Sequence, residues 1–430
     1  MSVVLRNLIV VVVGLANLGL LASEANAQWF RCQPCPCPPS DPAYGMGQVD
    51  PSDPPSAPQP PYASPSDSLD PTMPAANTFA SASQFASTSE SVGFRDATIG
   101  DFFGSAAQIS GPTWGISNPE AGFYAPNGAG DRRFKLSDHT SPLPTDRLFF
   151  NYNHFSRPVI DAHGNRVDVN RFTFGLEKTF LDDSTSLELR VPFAGGLDSS
   201  PTQVNYPNPE VLDGVEFGNI ALTLKAILLE YNRITVSGGL GMITPTAADS
   251  SISKLNDDEA IQLLEIKNET LYLQPFISFY TQPTDRTWVL FYTQADFATN
   301  GNRVISSNFQ GSRLSESRFN DQHLLFMDLS MGHWFYKDPT GSQFIRGMAS
   351  ILELHYTTTL NDTDGVQAGP SEGDRMTNPF NRLDALNLTA GLRFQLGERY
   401  MLTAAGVAPL RGGSDRLFDS EFALLLSRFY

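Results

Sequence analysis

The sequence has few cysteines, an excess of acidic over basic residues, and almost no long apolar runs. Its 430 residues carry a formal net charge of −17, and the only long uncharged apolar stretch runs from Leu8 to Ala22. Because a membrane-spanning helix needs about 20 consecutive apolar residues, we expect no helical membrane domain. The acidic balance also disfavours nucleic-acid binding, which depends on Lys and Arg contacts to phosphates.

All three cysteines lie close together, at Cys32, Cys35 and Cys37. Prolines separate them and no fourth ligand is near, so we predict no structural zinc site and no other metal or cofactor. An odd number of cysteines in an oxidising compartment favours an intermolecular disulfide or one spare thiol. A cell-wall or periplasmic partner is one candidate for such a link. Lipidation of Cys32 is an alternative, disfavoured because Trp29-Phe30-Arg31 is not the small, apolar lead-in that lipidation favours.

The first 143 residues divide into three parts by composition. Arg6, the apolar stretch and Ala25-Asn26-Ala27 predict a cleavable signal peptide over residues 1–27, and hence export. A single membrane-spanning anchor would need a longer apolar run. Residues 28–90 are dominated by Pro, Ser, Ala and Asp, which predicts a disordered tether. Residues 91–143 are expected either to plug the barrel described next or to lie beneath it in the periplasm.

Residues 144–430 alternate apolar and polar side chains in about twelve stretches. Alternation with a period of two predicts β-strands with one apolar face each. The predicted strands begin at Asp146, Val167, Ser184, Glu216, Arg233, Glu269, Asp285, Phe319, Phe344, Asn381, Arg399 and Asp419.

Short and long links alternate between these strands. Five are short and rich in Asp, Asn, Pro and Gly, which tight turns favour, and the others start at Ser156, Ala194, Pro245, Asn300, Asn361 and Leu410. Short turns at one end and long loops at the other are typical of bacterial outer-membrane barrels. We predict an all-β, antiparallel up-and-down transmembrane β-barrel of about twelve strands, surrounded by outer-membrane lipid.

Strand parity predicts which side chains face the lipid and which face the lumen. A soluble sandwich could share the alternation, but charges of both signs fall at mid-strand on the polar face, which suits a wet lumen with ion pairs. Aromatic residues near strand ends, among them Phe149, Phe155, Tyr280 and Trp334, are expected in the interfacial girdles. The predicted lumen and selectivity residues are Arg171, Glu177, Glu188, Arg190, Lys225, Asp296, Asp328, Glu353 and Arg393.

The last strand carries a candidate assembly signal. Phe422, Leu424, Leu426 and Tyr430 share one face, and Tyr430 is the last residue given. This pattern resembles the C-terminal signature by which the barrel-assembly machinery recognises outer-membrane proteins, although Arg428 departs from it.

Three further segments carry a family resemblance: LELRVPF at 187–193, FGNIALTLK at 217–225 and GLGMITPT at 239–246. They resemble the outer-membrane barrel family associated with the meta-pathway of phenol degradation and related putative transporters. Asn219 replaces the acid of that pattern and Ala247 its final glycine, and the match covers about sixty residues. The opening strand, DRLFFNYNHF, is similar to barrel openings in exported proteins of the Planctomycetes. The resemblance implies an outer-membrane transporter.

Catalysis is the alternative that requires specific residues. A barrel hydrolase would need a Ser and a His together, but parity places Ser330 and His333 on opposite faces. Glu353 and His355 share the lumen face, where a structural pair is expected. We predict no enzymatic activity. The predicted function is passive transport of a small polar or moderately apolar solute, and the alternative is a structural barrel that anchors the envelope without transport.

Overall fold

In the computed structural model, the described part of the chain comprises residues 97–104, 107–115, 122–125, 133–160, 166–197, 199–200, 202–205, 208–210, 215–256, 259–363, 365–378 and 382–430. The predicted signal peptide, the tether and the cysteine cluster lie outside these residues. None of the described helices is long and apolar enough to cross a membrane.

Twelve long strands form one closed antiparallel barrel, as predicted. They are β1 Arg147–Ile160, β2 Arg166–Phe180, β3 Thr185–Gly195, β4 Ala221–Tyr231, β5 Ile234–Ile243, β6 Tyr272–Thr284, β7 Thr287–Ala298, β8 Leu324–Lys337, β9 Ile345–Thr359, β10 Asp384–Leu396, β11 Tyr400–Pro409 and β12 Ser420–Phe429.

Each barrel strand pairs with its neighbours in sequence, and the last strand closes the barrel on the first. In the closing pair of β12 and β1, Leu426 lies opposite Phe150 and Phe422 opposite His154. Closure gives the backbone N–H and C=O groups at the strand edges hydrogen-bond partners. A sheet in lipid requires this because no water is present there to bond free backbone groups. The all-β transmembrane barrel predicted from the alternation is therefore the observed fold.

The short links lie at one end of the barrel and have the turn chemistry that the sequence predicts. Leu181, Asp182 and Asp183 between β2 and β3 all have positive φ, as do Asn232 between β4 and β5 and Gly397 between β10 and β11. Asp and Asn tolerate this backbone region better than most residues, and glycine adopts it freely. The tight turns follow from local sequence.

The links at the other end differ from the prediction in two ways. The link that was expected to start at Ser156 is short, because β1 continues through a register shift between Phe155 and Val159 and ends at Ile160. Four of the long links also contain strands, which the alternation did not predict. Six of their strands form a second sheet outside the barrel: Thr202–Asn205, Asn208–Glu210, Ser250–Asn256, Glu259–Ile266, Asn302–Ser307 and Arg313–Phe319.

The outer face of the barrel is apolar and exposed. Phe174, Leu187, Leu352 and Leu392 on four different strands each leave 43–52% of their surface uncovered. A continuous band of this kind is unfavourable in water and suits the hydrocarbon core of a membrane. The parity assignment of the lipid face is therefore consistent with the structure.

Four of the aromatic residues expected in the interfacial girdles point inward instead. Phe149, Phe155, Tyr280 and Trp334 are at most 8% exposed and belong to buried apolar clusters inside the barrel. Their apolar partners include Ala97, Ile99, Phe103 and Leu143, none of which is in a barrel strand. An aromatic side chain inside the barrel is stable here because another part of the chain packs against it.

Candidate functional site: a lumen filled by the N-terminal segment

The lumen contains the described residues 97–104 and 133–145, here called the inner segment. Ala97 lies near the short-turn end, where its carbonyl oxygen accepts a hydrogen bond from Arg393 Nη2 at 2.5 Å. Phe103 lies toward the other end, with its ring 5.1 Å from that of Phe155. The chain therefore crosses the lumen along its length. It returns from Arg133, paired with Asp296 near the end of β7, to Thr145 beside the short turns.

Between the two crossings, the chain is bonded to the long link that joins β9 and β10. The strand Gln108–Ser110 pairs with the strand Arg375–Thr377 of that link. Trp114 is 1% exposed, and its indole nitrogen donates to the carbonyl oxygen of Ala368 at 2.8 Å. Asp374 accepts a hydrogen bond from the backbone N–H of Thr113 at 2.9 Å. These contacts fix the outer end of the segment to an external link.

Glu188 and four other charged side chains form a cluster near the short-turn end. One oxygen of Glu188 accepts from Arg147 at 2.8 Å and from Lys225 at 2.7 Å, and the other accepts from Arg190 at 2.6 Å. Glu177 pairs with Arg147 and Lys225 at 2.9 and 3.1 Å. All five are nearly fully buried, so each charge depends on the others for stabilisation. We call these five residues the Glu188 cluster.

A second group of charged residues lies at mid-lumen around Lys135 of the inner segment. Its ammonium group contacts Asp101 at 2.7 Å and Asp328 at 2.5 Å, and the imidazole of His355 lies 2.8 Å from Asp328. Asp101, Asp328 and His355 could by type and spacing hold a metal ion. Because Lys135 already places a positive charge between the two carboxylates, the arrangement does not fit a metal.

The inner segment bonds to every one of the nine predicted lumen residues. Some of these bonds are ion pairs, and others join a charged side chain to a backbone group of the segment. The partners are Phe102 and Asp138 for Arg171, Thr145 for Glu177, Thr140 for Glu188 and for Lys225, Leu136 for Arg190, Arg133 for Asp296, Lys135 and Ser137 for Asp328, Ile99 for Glu353, and Ala97 for Arg393.

All nine side chains are at most 3% exposed, so the expectation of a wet lumen is wrong for this state. Parity identified the face correctly, and the ion pairs expected there are present. The sequence does not show that a second part of the chain occupies the same space. Their role in selectivity stays a prediction.

Some residues of the site were not predicted, chiefly those of the inner segment itself. Asp101, Arg133, Lys135 and Asp138 are charges in a segment otherwise rich in Gly and Pro, and each pairs with a charged residue of opposite sign within the lumen. Such isolated charges beside a barrel with a charged polar face are the signal that could have indicated a plug. Arg147, at the first position of β1, also belongs to the site.

The candidate hydrolase residues do not form a catalytic pair. Ser330 is 1% exposed and donates to Glu353 at 2.7 Å, whereas His333 faces outward and contacts Thr287 at 3.0 Å. Glu353 and His355 do meet, at 3.2 Å, but both are enclosed by the inner segment and the barrel wall. Phe422, Leu426 and Tyr430 are exposed on the outer face, and recognition by the assembly machinery stays a prediction.

Several solved outer-membrane barrels are similar to this chain at low sequence identity. An outer membrane channel from Pseudomonas putida F1 is 13% identical, with 69% of this chain and 100% of that chain covered and a TM-score of 0.42. The NanC porin is 7% identical, at 66% and 99% coverage and a TM-score of 0.36. The CymD monoaromatic hydrocarbon channel is 8% identical, at 67% and 89% coverage and a TM-score of 0.35.

No family model and no curated protein matches the chain. The resemblance to the phenol-degradation barrel family therefore stays a prediction, as does the Planctomycetes-like opening strand.

Proposed function

We propose that this protein is an outer-membrane channel that its own inner segment closes, and that a small polar or moderately apolar solute passes when the segment shifts. The observation that supports this most directly is the contact of the inner segment with all nine predicted lumen residues. Displacing the segment would expose a lumen lined by charged and polar groups, which is the lining of a solute channel.

The chemistry of the closure favours a segment that can leave. Its apolar residues pack in buried clusters, but ion pairs and hydrogen bonds join it to all nine lumen residues, and charged groups regain hydration when such contacts open to water. Within the described residues, some buried lumen oxygens have no hydrogen-bond partner, including one each of Asp296 and Glu421. A buried polar atom without a partner is unfavourable by about 1–3 kcal/mol, and opening the lumen to water removes that penalty.

Planar-bilayer recordings on the full chain test the proposal. We expect long closed periods with brief, discrete openings. Lys135→Gln removes the charge that pairs with Asp101 and Asp328, so it should raise the open probability at least about tenfold, the effect of about 1.4 kcal/mol. Lys267→Gln is the matched control, because Lys267 pairs with Asp249 and Glu265 in an external link. Equal open probability in both variants would contradict closure by the inner segment.

The filled lumen also favours a second candidate function, an envelope-anchoring barrel without transport. In that case the segment would be a permanent part of the structure. The same recordings separate the two functions, because an anchor would be silent in the full chain and in Lys135→Gln alike. The predicted link to a cell-wall or periplasmic partner through Cys32, Cys35 and Cys37 belongs to this candidate.

The lumen charges lead us to propose little preference for ion sign in the open state. The nine residues comprise five acids and four bases, and Asp296, Asp328 and Glu353 lie on the adjacent strands β7, β8 and β9. The reversal potential in a salt gradient, measured on Lys135→Gln, should lie near zero. Strong selectivity that survives neutralising Lys225 or Glu188 would show that these residues do not line the path.

The orientation in the outer membrane is part of the proposal and can be tested separately. In a variant with its three native cysteines replaced by serine, a cysteine at Gln310 in a long link should react with an impermeant maleimide on intact cells. A cysteine at Glu398 in a short turn should react only after lysis. The reverse pattern would invert the topology.

A further inference from the structure

Three arginines converge on one carboxylate at the rim of the barrel that carries the long links. Arg157 and Arg416 each pair with Asp419, and Arg166 Nη1 lies 3.8 Å from the same carboxylate. These four side chains and Gly413 line an open cavity of about 260 Å³. Since a water molecule takes about 30 Å³ in the liquid, the cavity has room for a group several times larger.

The arginines exceed the acids around this cavity. Asp419 is largely covered, at 11% side-chain exposure, whereas Arg157, Arg166 and Arg416 are 56%, 51% and 38% exposed. Among the described residues nearby, Asp168 accepts from the backbone N–H of Arg157 at 2.8 Å, and Asp415 precedes Arg416 in the chain. Of the charged side chains that line the cavity, three are guanidinium groups and one is a carboxylate, and the guanidinium groups are partly exposed to solvent. Guanidinium groups bind phosphate bidentately, which makes this arrangement suited to a phosphate group.

The backbone holds one of the arginines in an unfavourable conformation. Arg157 has a φ of 53°, in the left-handed region, at the register shift where β1 bends between Phe155 and Val159. Non-glycine residues are uncommon in this region, and those that adopt it cluster at functional sites. The bend directs the Arg157 side chain toward Asp419 at the start of β12.

The position of the cavity indicates where a phosphate would come from. On the outer face of β1 and β2, Tyr152 packs against Phe172 with their ring centroids 5.3 Å apart, as expected at a membrane interface. Beyond this pair the outward groups become polar: Asn170 accepts from Tyr152 at 2.8 Å and contacts His154 at 3.0 Å. Arg157 and Arg166 follow farther along these two strands, on the water side of the aromatic pair, and their long side chains can reach back to the interface. Arg416 joins them from the link that precedes β12.

We propose that Arg157, Arg166 and Arg416 form a binding site for the phosphate group of an outer-leaflet lipid. Asp419 holds the three guanidinium groups in place when the site is empty of phosphate. A bound phosphate then accepts hydrogen bonds from the guanidinium N–H groups that Asp419 does not use. The site lies outside the lumen and does not depend on solute passage, but the choice of an outer-leaflet lipid rests on the proposed orientation, which the cysteine labelling tests separately.

Lipid binding to the full chain in a neutral detergent tests this site. The probes are diphosphoryl lipid A, the same lipid after removal of its phosphates, and inorganic phosphate, and native mass spectrometry counts the bound lipids. We expect the phosphorylated lipid to bind the wild type at least about tenfold more tightly than it binds the Arg166→Gln, Arg416→Gln double variant, because charge-assisted contacts are lost. Arg313→Gln, in an external link, is the control and should bind like the wild type.

The Asp419→Asn variant distinguishes a lipid-binding role of the three arginines from a purely structural role. It removes a competing negative charge while keeping the shape, so phosphate-lipid binding should tighten by about tenfold. Weaker or unchanged binding in this variant would overturn the proposal. Equal binding of the dephosphorylated lipid would do the same, and full displacement by millimolar inorganic phosphate would overturn the lipid as the source.

Discussion

The two faces of the barrel wall are both covered, but by opposite chemistry. Leu222 and Leu388 point outward to lipid, while their neighbours Thr223 and Thr389 point inward and are at most 1% exposed. The hydrocarbon chains of the membrane cover the outer face. The inner segment of the same protein covers the inner face. Alternation along a strand therefore identifies two unlike faces, but it does not determine what covers each face.

The largest loss in the free energy of unfolding is expected from a substitution inside the barrel, where charged side chains are paired and shielded from water. Glu188→Ala leaves Arg147, Lys225 and Arg190 facing one another with only Glu177 to offset them. Breaking a buried charge network in this way costs about 3–5 kcal/mol in the free energy of unfolding. Urea unfolding of the refolded barrel in detergent measures it.

Glu265→Ala is the control for that variant, since Glu265 pairs with Lys267 at a partly exposed site in an external link. Its cost should be below about 1 kcal/mol. If Glu188→Ala cost as little as Glu265→Ala, the Glu188 cluster would not hold the lumen together.

The next largest effect is expected on the outer face. Leu388→Arg or Leu392→Arg places a charge on the outer face in the middle part of β10, which should cost about 2–4 kcal/mol. The free energy of unfolding is measured in lipid vesicles. The same variants in detergent micelles provide the control, because a micelle lets the arginine reach water more easily. A small cost in vesicles would mean that these leucines do not face the membrane.

A smaller effect is expected from the same substitution on the inner face. In a water-filled lumen, Thr223→Arg or Thr389→Arg would hardly change the free energy of unfolding. Here the longer side chain meets the inner segment. Overpacking of a filled interior costs about 1–3 kcal/mol. A variant that also carries Lys135→Gln should lose part of this penalty if the segment is displaced. Neutral single variants would show that the lumen is open in solution.

The smallest effect is expected in a short turn, away from both faces. The backbone N–H groups of Gln343 and Thr340 donate to Asp338 and hold the pKa of its carboxyl below the usual value. A depressed pKa stabilises the turn above the ordinary carboxyl pKa and loses that contribution as pH falls through the lowered value. The protection factors for amide exchange at Thr340 and Gln343, taken relative to the intrinsic rate at each pH, should therefore fall only at strongly acidic pH. In Asp338→Asn these protection factors should no longer change over that pH range.

The strands and short turns could be predicted because their causes are local. Alternation over ten or more residues, followed by Asp, Asn or Gly at a turn, predicts a hairpin wherever it occurs. The first long link was mispredicted because the register shift after Phe155 depends on pairing with β2. The external sheet could not be predicted either, since its strands come from links far apart in the sequence.

The inward aromatics show the limit of the same reasoning. Trp334 and Phe149 have the residue type of an interfacial girdle, but parity places them inside, against Trp288 and Gly175 respectively. Residue type gives a preference averaged over many barrels, whereas the inner segment provides an apolar surface particular to this one. The three-arginine site could not be predicted for a similar reason, because Arg157, Arg166 and Arg416 meet only when β12 closes on β1.

The barrel, its strand number, its two faces and the nine charged residues of the inner face could be predicted from the residue pattern, because a period of two is a property of the extended chain. That this inner face is occupied became visible only in the folded chain. Whether residues 97–104 and 133–145 lie inside or beneath the barrel depends on long-range ion pairs such as Lys135 with Asp328. Such pairs leave no periodic trace in sequence, since complementary charges can meet at any separation along the chain.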